Sequence, residues 1–489
     1  MIKNHDELHE ECGVVAIWGD DNAAQLTYYG LHSLQHRGQE AAGIVVRNKS
    51  RKLNIHKGEG LVSEVFNKEK IEKLSGNAAI GHVRYSTAGG GGIMNVQPFL
   101  FRTLDGMMGI AHNGNIVNAN LLKKELEENG SIFNSTSDTE VLGHLIKRET
   151  GRFVDRICKS LEKIDGAFAF VILVEDALYV ARDRYGLRPL SMGRLPSGGY
   201  MFSSETCALD IAGAEYVRDV EPGEIIRVKD GIIKSKKYTE TLPICNKLCA
   251  MEYIYFSRPD SNLDGINVHT ARKTCGKTLF EEAPVEADLV IGVPDSSISA
   301  AIGYSEASGI PYEMGLIKNK YVGRTFIQPT QEMRERGVRM KLSAVSSIVK
   351  GKRVIMIDDS IVRGTTSKRI VRLLKEAGAT EVHVRIASPA IKFPCFYGVD
   401  ISTLEELISH RMNVEELCQF IEADSLAFIS MEGLKKSVKH DMDGNCDLCI
   451  SCFSGNYVIV LIKTKNSTIK LPSLGVSFLY IILRIIYIM

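Results

Sequence analysis

Two adjacent carboxylates, Asp358 and Asp359, follow the apolar run 354–357 and precede the Gly- and hydroxyl-rich turn 363–367. The apolar run predicts a buried strand, and the amphipathic residues after the turn predict a helix. Ligands of open α/β sheets bind just beyond the carboxyl ends of the strands, and such a turn at a helix N-terminus offers N–H donors to a phosphate. The paired carboxylates suit the vicinal hydroxyls of a ribose or a hydrated Mg²⁺. Because the chain has no G-x-x-x-x-G-K-[ST] motif, the pattern favours a sugar 5′-phosphate over a nucleoside triphosphate.

A cysteine near the N-terminus, Cys12, is followed by Gly13 and by an apolar run over 14–17 that predicts a strand. A thiolate with a base nearby can act as the nucleophile in amide hydrolysis. Cys12 and the run after it are weak evidence alone, because most single cysteines are small hydrophobic core residues. The case depends on four polar motifs further along the chain: H-R-G-Q-E at 36–40, G-H-V-R-Y-S-T at 81–87, A-H-N-G-N at 111–115 and S-D-T-E at 137–140.

Four further cysteines form a candidate metal site. Cys449 and Cys452 make a C-x-x-C pair, and Cys249 and Cys395 are its distant partners. All-thiolate ligation suits both Zn²⁺ and an iron–sulfur cluster, so the residues alone leave the metal open. Cys446 makes a second C-x-x-C with Cys449 and is a rival ligand.

The composition is that of a globular chain of 489 residues, long enough for two or three domains. Its 60 basic and 59 acidic residues balance, which argues against nucleic acid or an anionic membrane as a general partner. The 11 cysteines lack the regular spacing of a secreted disulfide scaffold, so we predict a reducing, cytoplasmic location. Residues 1–11 are polar and lack the apolar core of a signal peptide.

The tail at 456–489 differs in composition from the rest of the chain, with Ile, Leu, Val, Lys and Asn prominent from Tyr457 onward. Its apolar end is shorter than the roughly 20 residues that a membrane-spanning helix needs. We interpret the tail as an atypical, out-of-frame ending. A membrane tail anchor and a terminal strand or helix are the alternatives.

Together these motifs resemble those of a known family. Cys12 and the four polar motifs resemble the glutaminase domain of N-terminal-nucleophile (Ntn) amidotransferases. The run 354–367 resembles the 5-phosphoribosyl-1-pyrophosphate (PRPP) fingerprint of type I phosphoribosyltransferases. The combination resembles the amidophosphoribosyltransferases, and the cysteines resemble those of its cysteine-ligated iron–sulfur subgroup. The resemblance implies a propeptide over 1–11, a four-layer αββα Ntn domain (α+β) over 12–235 and a type I phosphoribosyltransferase α/β domain over 236–455.

The function implied by this resemblance is an enzymatic one. Such enzymes convert PRPP and glutamine to 5-phosphoribosylamine, pyrophosphate and glutamate, the first committed step of de novo purine (IMP) biosynthesis. A PRPP-sensing purine regulator without catalysis is the alternative from another class, and an amidotransferase that makes glucosamine phosphate or asparagine is an enzymatic alternative. The regulator leaves Cys12 unexplained, and those other amidotransferases lack the 354–367 run.

The resemblance also assigns roles in the glutaminase domain. Cys12 is the nucleophile and its own α-amino group is the base, because the pKa of that amine lies near neutrality. The bond between Glu11 and Cys12 must therefore be cleaved during maturation. Asn113 and Gly114 supply the oxyanion hole. Arg84 binds the α-carboxylate of glutamine and Asp138 binds its α-ammonium group.

In the second domain the resemblance implies a PRPP site with Mg²⁺. Ser296, Asp358 and Asp359 are the candidate Mg²⁺ contacts. A basic segment over 318–341 occupies the place of a flap that closes over PRPP and excludes water. The expected PRPP-binding residues are Asp358, Asp359, Ser360, Arg363, Gly364, Thr365, Thr366, Ser367 and Arg324 of that flap.

Cofactors and partners follow from the same resemblance. One Mg²⁺ and one 4Fe–4S cluster per subunit are expected, the cluster held by Cys249, Cys395, Cys449 and Cys452. The expected small-molecule partners are glutamine, PRPP and inhibitory purine nucleotides. The expected assembly is a homotetramer with no nucleic acid and no membrane, unless the tail inserts into one.

Overall fold

The computed structural model describes residues 12–85, 91–103, 105–319, 342–401, 403–438 and 447–459. These parts of the chain form an N-terminal domain built on two antiparallel sheets and a C-terminal domain built on a parallel sheet.

Long apolar strands dominate the N-terminal domain, and short helices connect them. Its strands are β1 Gly13–Trp18, β2 Ala41–Arg47, β3 Leu53–Glu59, β4 Ala78–Arg84, β5 Phe99–Thr103, β6 Gly106–Ile116, β7 Gly166–Val174, β8 Leu178–Arg182, β9 Ser191–Arg194, β10 Tyr200–Ser203, β11 Glu215–Asp219, β12 Glu224–Lys229 and β13 Ile232–Lys237. Its helices are α1 Ala23–Ser33, α2 Val62–Val65, α3 Lys68–Lys73, α4 Ala119–Glu128, α5 Thr139–Arg148, α6 Phe153–Glu162 and α7 Thr206–Ile211.

The two sheets face each other across a shared apolar layer. The first has the strand order β11-β9-β10-β1-β4-β2-β3 and the second the order β13-β12-β8-β7-β6-β5. Alternate residues of each strand point to the same face, so Val14 and Ile80 of the first sheet pack with Val171 and Val180 of the second. Both sheets are therefore buried on their inner faces.

Helices cover the outer faces of both sheets. Val15 and Leu31 belong to a cluster between the first sheet and α1, α2 and α7. Leu142 and Phe170 belong to a second cluster between the other sheet and α4, α5 and α6. The layers run helix, sheet, sheet, helix, which confirms the predicted αββα architecture.

The C-terminal domain alternates strands and helices. Its strands are β14 Asn262–Leu263, β15 Ile266–Asn267, β16 Leu289–Gly292, β17 Leu316–Lys318, β18 Leu342–Ala344, β19 Arg353–Asp358, β20 Glu381–Ile386 and β21 Ser425–Phe428. Its helices are α8 Val268–Glu282, α9 Ile298–Ser308, α10 Ser346–Val349, α11 Thr365–Glu376, α12 Ile408–Arg411, α13 Val414–Ile421, α14 Met431–Val438 and α15 Ser451–Ser454.

A parallel sheet with the order β16-β19-β20-β21 forms the centre of this domain. Ile355 and Ile357 of β19 face the cluster that includes α8 and α9, whereas Val354 and Met356 face the cluster that includes α11 and α13. A strand buried on both faces reads as an unbroken apolar run, which is why the pattern at 354–357 was recognisable. The predicted α/β class of this domain is confirmed.

The connecting segment between the domains spans 238–261. It contains the π-helical turn Glu252–Phe256, in which Glu252, Tyr253 and Phe256 are buried. The last strand of the N-terminal domain ends at Lys237, and the exact domain boundaries at 235 and 455 stay predictions. Across the described ranges, no helix combines the length and apolarity that a membrane span requires.

The start of the tail packs on the C-terminal domain. The Tyr457 hydroxyl donates to the carbonyl of Pro394 at 2.8 Å, and the Ile459 amide donates to the Tyr397 hydroxyl at 2.9 Å. The tail beyond Ile459 lies outside the described residues, so our interpretation of it as out of frame stays a prediction.

Candidate active sites

Cys12 lies immediately before β1, a central strand of the first sheet. Its thiol donates to the carbonyl of Tyr85 at 3.6 Å, and its own carbonyl accepts a hydrogen bond of 3.2 Å from Nε of Arg37. The side chain is partly exposed, as a thiol that meets a substrate must be. Residues 1–11 lie outside the described part of the chain, so cleavage before Cys12 stays a prediction.

Arg84 ends β4, the antiparallel neighbour of β1. The register pairs Gly13 with Val83, so the next pair of residues is Cys12 and Arg84. The backbone of Gly38 packs so closely here that an added Cβ would lie 2.6 Å from the carbonyl carbon of Arg84. The tight approach of this loop explains why the H-R-G-Q-E motif needs its glycine.

Asn113 and Gly114 lie together on β6 in the second sheet. The Asn113 side chain is fully buried, and neither its oxygen nor its nitrogen finds a partner within the described ranges. Leaving a buried amide unpaired costs about 1–3 kcal/mol, so a ligand that accepts from it would recover this energy. Gly114 has φ +139°, and an added Cβ would lie 2.0 Å from the carbonyl oxygen of Ala167, so only glycine fits.

Asp138 reaches the same end of β6 from the loop before α5. Its carboxylate accepts a hydrogen bond of 2.8 Å from the amide of Ile116 and lies 3.8 Å from Nδ1 of His112. Glu140 shapes this loop. Burial opposes its charge, but His144, whose Nε2 lies 3.7 Å from the carboxylate, and hydrogen bonds from the Ser135 hydroxyl and the Asn134 and Ser135 amides lower its pKa to about 2.

Two histidines that we did not assign from the sequence, His82 and His112, connect β4 to β6, the strand of Asn113 and Gly114. Nε2 of His82 lies 3.1 Å from the carbonyl oxygen of His112, so this nitrogen must be the donor. Burial lowers the pKa of His82 to about 3, which keeps the ring neutral. His82 and Arg84 share one face of β4 because they are two residues apart, and this contact joins that face to the strand of Asn113. The G-H-V-R and H-N-G motifs contain these two histidines, but the sequence does not show that His82 meets His112, because the contact joins residues 30 positions apart.

The candidate PRPP site forms where β16 and β19 end side by side. The Ser296 hydroxyl donates to one carboxylate oxygen of Asp359, and the Ser360 hydroxyl donates to the other at 2.7 Å. The Ser297 hydroxyl donates to Asp358 at 3.2 Å. Burial raises the pKa of Asp359, against these hydrogen bonds and the charge of Arg272. Ser297 and Arg272 are additional residues that the sequence interpretation did not include.

The turn after the carboxylates leads directly into α11. Gly364 precedes the helix with φ +75°, a conformation that glycine adopts without strain. The buried Thr365 hydroxyl finds no partner within the described ranges, and Ser367 is buried in the same turn. Arg363 pairs with Glu406 at 3.0 Å. Arg324 lies outside the described residues, so its predicted role stays untested.

The two adjacent carboxylates and the Ser296 hydroxyl are hard oxygen donors of the kind that Mg²⁺ prefers. They lie together at the carboxyl ends of β16 and β19, where the hydroxyl donates a hydrogen bond to Asp359. The donor set therefore fits the implied Mg²⁺.

Backbone hydrogen bonds join the segments that carry the four candidate ligand cysteines in two pairs. Cys249 and Cys449 form a parallel bridge, in which the Cys449 amide donates to Leu248 at 2.9 Å. The carbonyl of Cys452 accepts from Lys392 and Phe393, each at 3.0 Å, which holds that segment beside Cys395. Cys446 lies outside the described residues, so the choice between the two C-x-x-C pairs is not tested.

Burial raises the pKa of three of these thiols, Cys395, Cys449 and Cys452, which favours their protonated form in the absence of a bound cation. Burial raises the pKa of Cys395 to about 11, and burial together with the charges of Cys395 and Cys449 raises the pKa of Cys452. The positive Arg188 opposes the rise at Cys395 and Cys449. Among the described residues, no three His, Cys, Asp or Glu side chains are arranged to hold a metal ion. The four cysteines supply soft sulfur donors of the type that a cluster needs, and the cluster itself is a proposal.

Known protein families match both halves of the chain. Residues 89–210 match the family described as glutamine amidotransferase domain, and residues 270–389 match phosphoribosyl transferase domain. The order of the two matches is the order of the two domains in the structure.

Individual relatives are similar over nearly the whole chain. The amidophosphoribosyltransferase of Bacillus subtilis (strain 168) is 61% identical over 462 residues, covering 94% of this chain and 96% of the relative. That of Staphylococcus aureus (strain Mu50 / ATCC 700699) is 54% identical over 457 residues, covering 93% and 92%.

Solved structures give the same result. The glutamine PRPP amidotransferase of B. subtilis, complexed with ADP and GMP, has a TM-score of 0.88 at 58% identity and covers 94% of this chain and 99% of its own. A structure described as the allosteric regulatory enzyme of purine biosynthesis also has a TM-score of 0.88, at 59% identity, and covers 92% and 97%. These enzymes give no support to a regulator without catalysis. The chain belongs to the amidophosphoribosyltransferase family, whose members use glutamine to convert PRPP to 5-phosphoribosylamine in the first step of purine biosynthesis.

Proposed function

We propose that Cys12 hydrolyses glutamine in the N-terminal domain and that the ammonia reacts with PRPP held at Asp358 and Asp359. The observation that carries this proposal is the pairing of two sites in one chain. The β1–β4 register sets Cys12 opposite Arg84, and the hydroxyls of Ser296 and Ser297 join the ends of β16 and β19 at the two carboxylates.

Glutamine hydrolysis begins with the Cys12 thiol. Once residues 1–11 are removed, the α-amino group of Cys12 accepts the thiol proton, and the sulfur attacks the amide carbon of glutamine. The Asn113 side-chain N–H and a backbone N–H at Gly114 donate to the oxyanion. Ammonia leaves with the proton returned by the amine, and water then hydrolyses the thioester to glutamate. Arg84 and Asp138 hold the α-carboxylate and α-ammonium groups of the substrate.

In the second domain ammonia forms a bond to C1 of PRPP, and the bond from C1 to pyrophosphate breaks. The carboxylates of Asp358 and Asp359 bind the ribose hydroxyls, and the turn of Ser360, Arg363, Gly364, Thr365, Thr366 and Ser367 binds the 5′-phosphate. A Mg²⁺ held by Ser296, Asp358 and Asp359 would neutralise charge on the leaving pyrophosphate. Arg324 belongs to the basic flap that excludes water from this reaction.

We propose a 4Fe–4S cluster held by Cys249, Cys395, Cys449 and Cys452. Changing Cys452→Ser is expected to remove most of the bound iron and sulfide, because serine supplies no soft thiolate. Cys446→Ser is the matched control and is expected to retain both. The measurement is iron, zinc and acid-labile sulfide per chain after anaerobic purification. Iron lost from Cys446→Ser and retained by Cys452→Ser would assign the ligands to the earlier C-x-x-C pair, and zinc without sulfide would contradict the cluster.

Activity with glutamine is expected to depend on removal of residues 1–11. While Glu11 is attached, the nitrogen of Cys12 is an amide and cannot accept a proton, whereas a free α-amine has a pKa near neutrality. Glutamine-dependent activity should therefore rise in proportion to the fraction of chains that begin at Cys12, measured by intact-mass spectrometry. Ammonia-dependent activity should not follow that fraction. Full glutamine-dependent activity in chains that retain Met1 would contradict this assignment.

Small-molecule regulation is proposed from a relative, and the assembly is proposed from the family resemblance. The B. subtilis structure is complexed with ADP and GMP, which supports inhibitory purine nucleotides as ligands of this chain as well. We also propose a homotetramer without nucleic acid or membrane partners, located in the cytoplasm, where a thiolate-ligated cluster is kept reduced. The domain ranges 12–235 and 236–455 and the out-of-frame tail belong to the same proposal.

The experiment that tests the proposal is pyrophosphate release from PRPP with Mg²⁺, using anaerobically purified and processed enzyme. Release is expected with either glutamine or ammonia as the nitrogen source, and glutamate should form in step with pyrophosphate when glutamine is used. Folded, processed protein that turns over with neither source would overturn the proposal.

A further inference from the structure

A fully buried arginine, Arg37, contacts the candidate nucleophile and also crosses the boundary between the domains. Its Nε donates to the carbonyl oxygen of Cys12 at 3.2 Å. Its other two nitrogens donate to Glu252 of the connecting segment at 2.9 and 2.7 Å, and one of them also donates to Glu205 at 2.7 Å. The side chains of all three residues have no exposed surface. The guanidinium thus links the backbone of Cys12 to a carboxylate that lies 215 positions from Arg37 along the chain.

Glu252 is itself held from several sides. The Ser257 hydroxyl donates to its carboxylate at 2.7 Å, and Nη1 of Arg188 lies 3.5 Å from its other oxygen. The Glu252 amide donates to the carbonyl of Cys249 at 3.0 Å, which ties the carboxylate to the segment that carries a candidate cluster ligand. With this many contacts, Glu252 cannot shift without moving Arg37.

The geometry of this group suits positioning better than simple stabilisation. A planar guanidinium with five donors can hold a carbonyl and two carboxylates in fixed directions, whereas a lysine ammonium cannot. A displacement of about 1 Å at a reacting group can lower a rate by about 10²-fold. The carbonyl carbon of Cys12 is bonded to the Cα that carries the α-amine and the CH₂SH side chain. A hydrogen bond that fixes this carbonyl therefore helps to fix the positions of both reacting groups.

We propose that Glu252 and Arg37 are positioning residues for glutamine hydrolysis, through which the segment between the domains fixes the backbone of Cys12. The proposal rests on the assignment of Cys12 as the nucleophile. Neither residue touches glutamine or PRPP in this scheme. Their effect is exerted on the glutaminase step alone, although Glu252 belongs to the connecting segment.

The test uses Arg37→Lys, which keeps the charge, and Glu252→Gln, which keeps the shape, in the full-length enzyme. Both are expected to lower kcat/KM for glutamine at least about tenfold, mainly through kcat, because substrate contacts remain. Ammonia-dependent pyrophosphate release should stay within about twofold, because the PRPP site is untouched. Glu252→Asp should restore part of the glutamine rate. The rate of Cys12 alkylation by iodoacetamide, followed by peptide mass mapping, should change in both variants.

The matched control is Arg218→Lys. Arg218 makes a bidentate pair with Glu224, at 2.8 and 2.6 Å, within the N-terminal domain, and the two belong to β11 and β12. This control should leave Cys12 alkylation and both activities unchanged. The proposal would be overturned if Arg37→Lys and Glu252→Gln lost activity equally with glutamine and with ammonia. It would also be overturned if Arg37→Lys left the glutamine kinetics and the Cys12 alkylation rate unchanged.

If Glu252→Gln does not fold, the glutamine kinetics and the Cys12 alkylation rate of Arg37→Lys test the positioning role. A separate comparison with Cys12→Ala distinguishes this inference from the proposed function. Glutamine hydrolysis retained in Cys12→Ala would overturn the nucleophile assignment itself. Hydrolysis lost in Cys12→Ala but normal in Arg37→Lys would overturn only the positioning role.

Discussion

Replacing Cys12 with alanine is expected to reduce glutamine-dependent pyrophosphate release at least about 10³-fold, because removal of a catalytic nucleophile has effects of this size or larger. Ammonia-dependent release should stay within about twofold, since ammonia bypasses the hydrolytic step. The measurement compares the two nitrogen sources in the same preparation, with PRPP and Mg²⁺ held constant.

Cys418→Ala is the matched control for this experiment. Cys418 is also a partly buried thiol, but it lies on α13 of the C-terminal domain, where its Sγ donates to the backbone carbonyl of Ala423 at 3.3 Å. Its replacement should leave both activities unchanged. Equal loss of the two activities in Cys12→Ala would show that the cysteine supports the fold of the whole enzyme and is not a dedicated nucleophile.

Replacing Asp359 with asparagine is expected to lower pyrophosphate release about 10²–10³-fold with glutamine and with ammonia alike, because the substrate contact is lost for both. The carboxylate accepts from Ser296 and Ser360 through its two oxygens. An amide has only one acceptor oxygen, so it must turn a nitrogen toward one of these hydroxyls or toward a bound cation. Initial rates at varied PRPP and Mg²⁺ measure the loss.

Asp288→Asn provides the control for this second experiment. Asp288 accepts from the backbone and side chain of Arg353 at the opposite end of β19, at 2.8 and 3.1 Å. This variant changes an aspartate on the same sheet without touching the candidate site, so both rates should stay within about twofold. A similar loss in Asp288→Asn, or full activity in Asp359→Asn, would contradict the role assigned to the carboxylate pair.

The local elements of both sites could be predicted from sequence patterns. The predicted strand over 354–357 is observed as Arg353–Asp358, and the predicted helix begins at Thr365. The apolar run after Cys12 forms β1. These elements depend on residues within a few positions of one another, so their periodicity and turn chemistry are visible along the chain.

The partners of the site residues could not be predicted in the same way. Arg37 belongs to the H-R-G-Q-E motif, yet nothing in that motif indicates that its side chain meets Glu252. The contact of His82 with the carbonyl of His112 was likewise missed. Each joins segments whose proximity depends on how whole layers pack, and one sequence carries no periodic signal for that.

The sequence by itself determined the two domain types and their order and supplied the candidate residues of each site, because motifs and apolar runs are local. Only the tertiary structure decided which groups face one another. The β1–β4 register sets Cys12 beside Arg84, and the parallel pairing of β16 with β19 brings Ser296 to Asp359. Arg37 is buried between the carboxylates of Glu205 and Glu252, and no local pattern signals this ion-pair group because its burial depends on how distant segments pack.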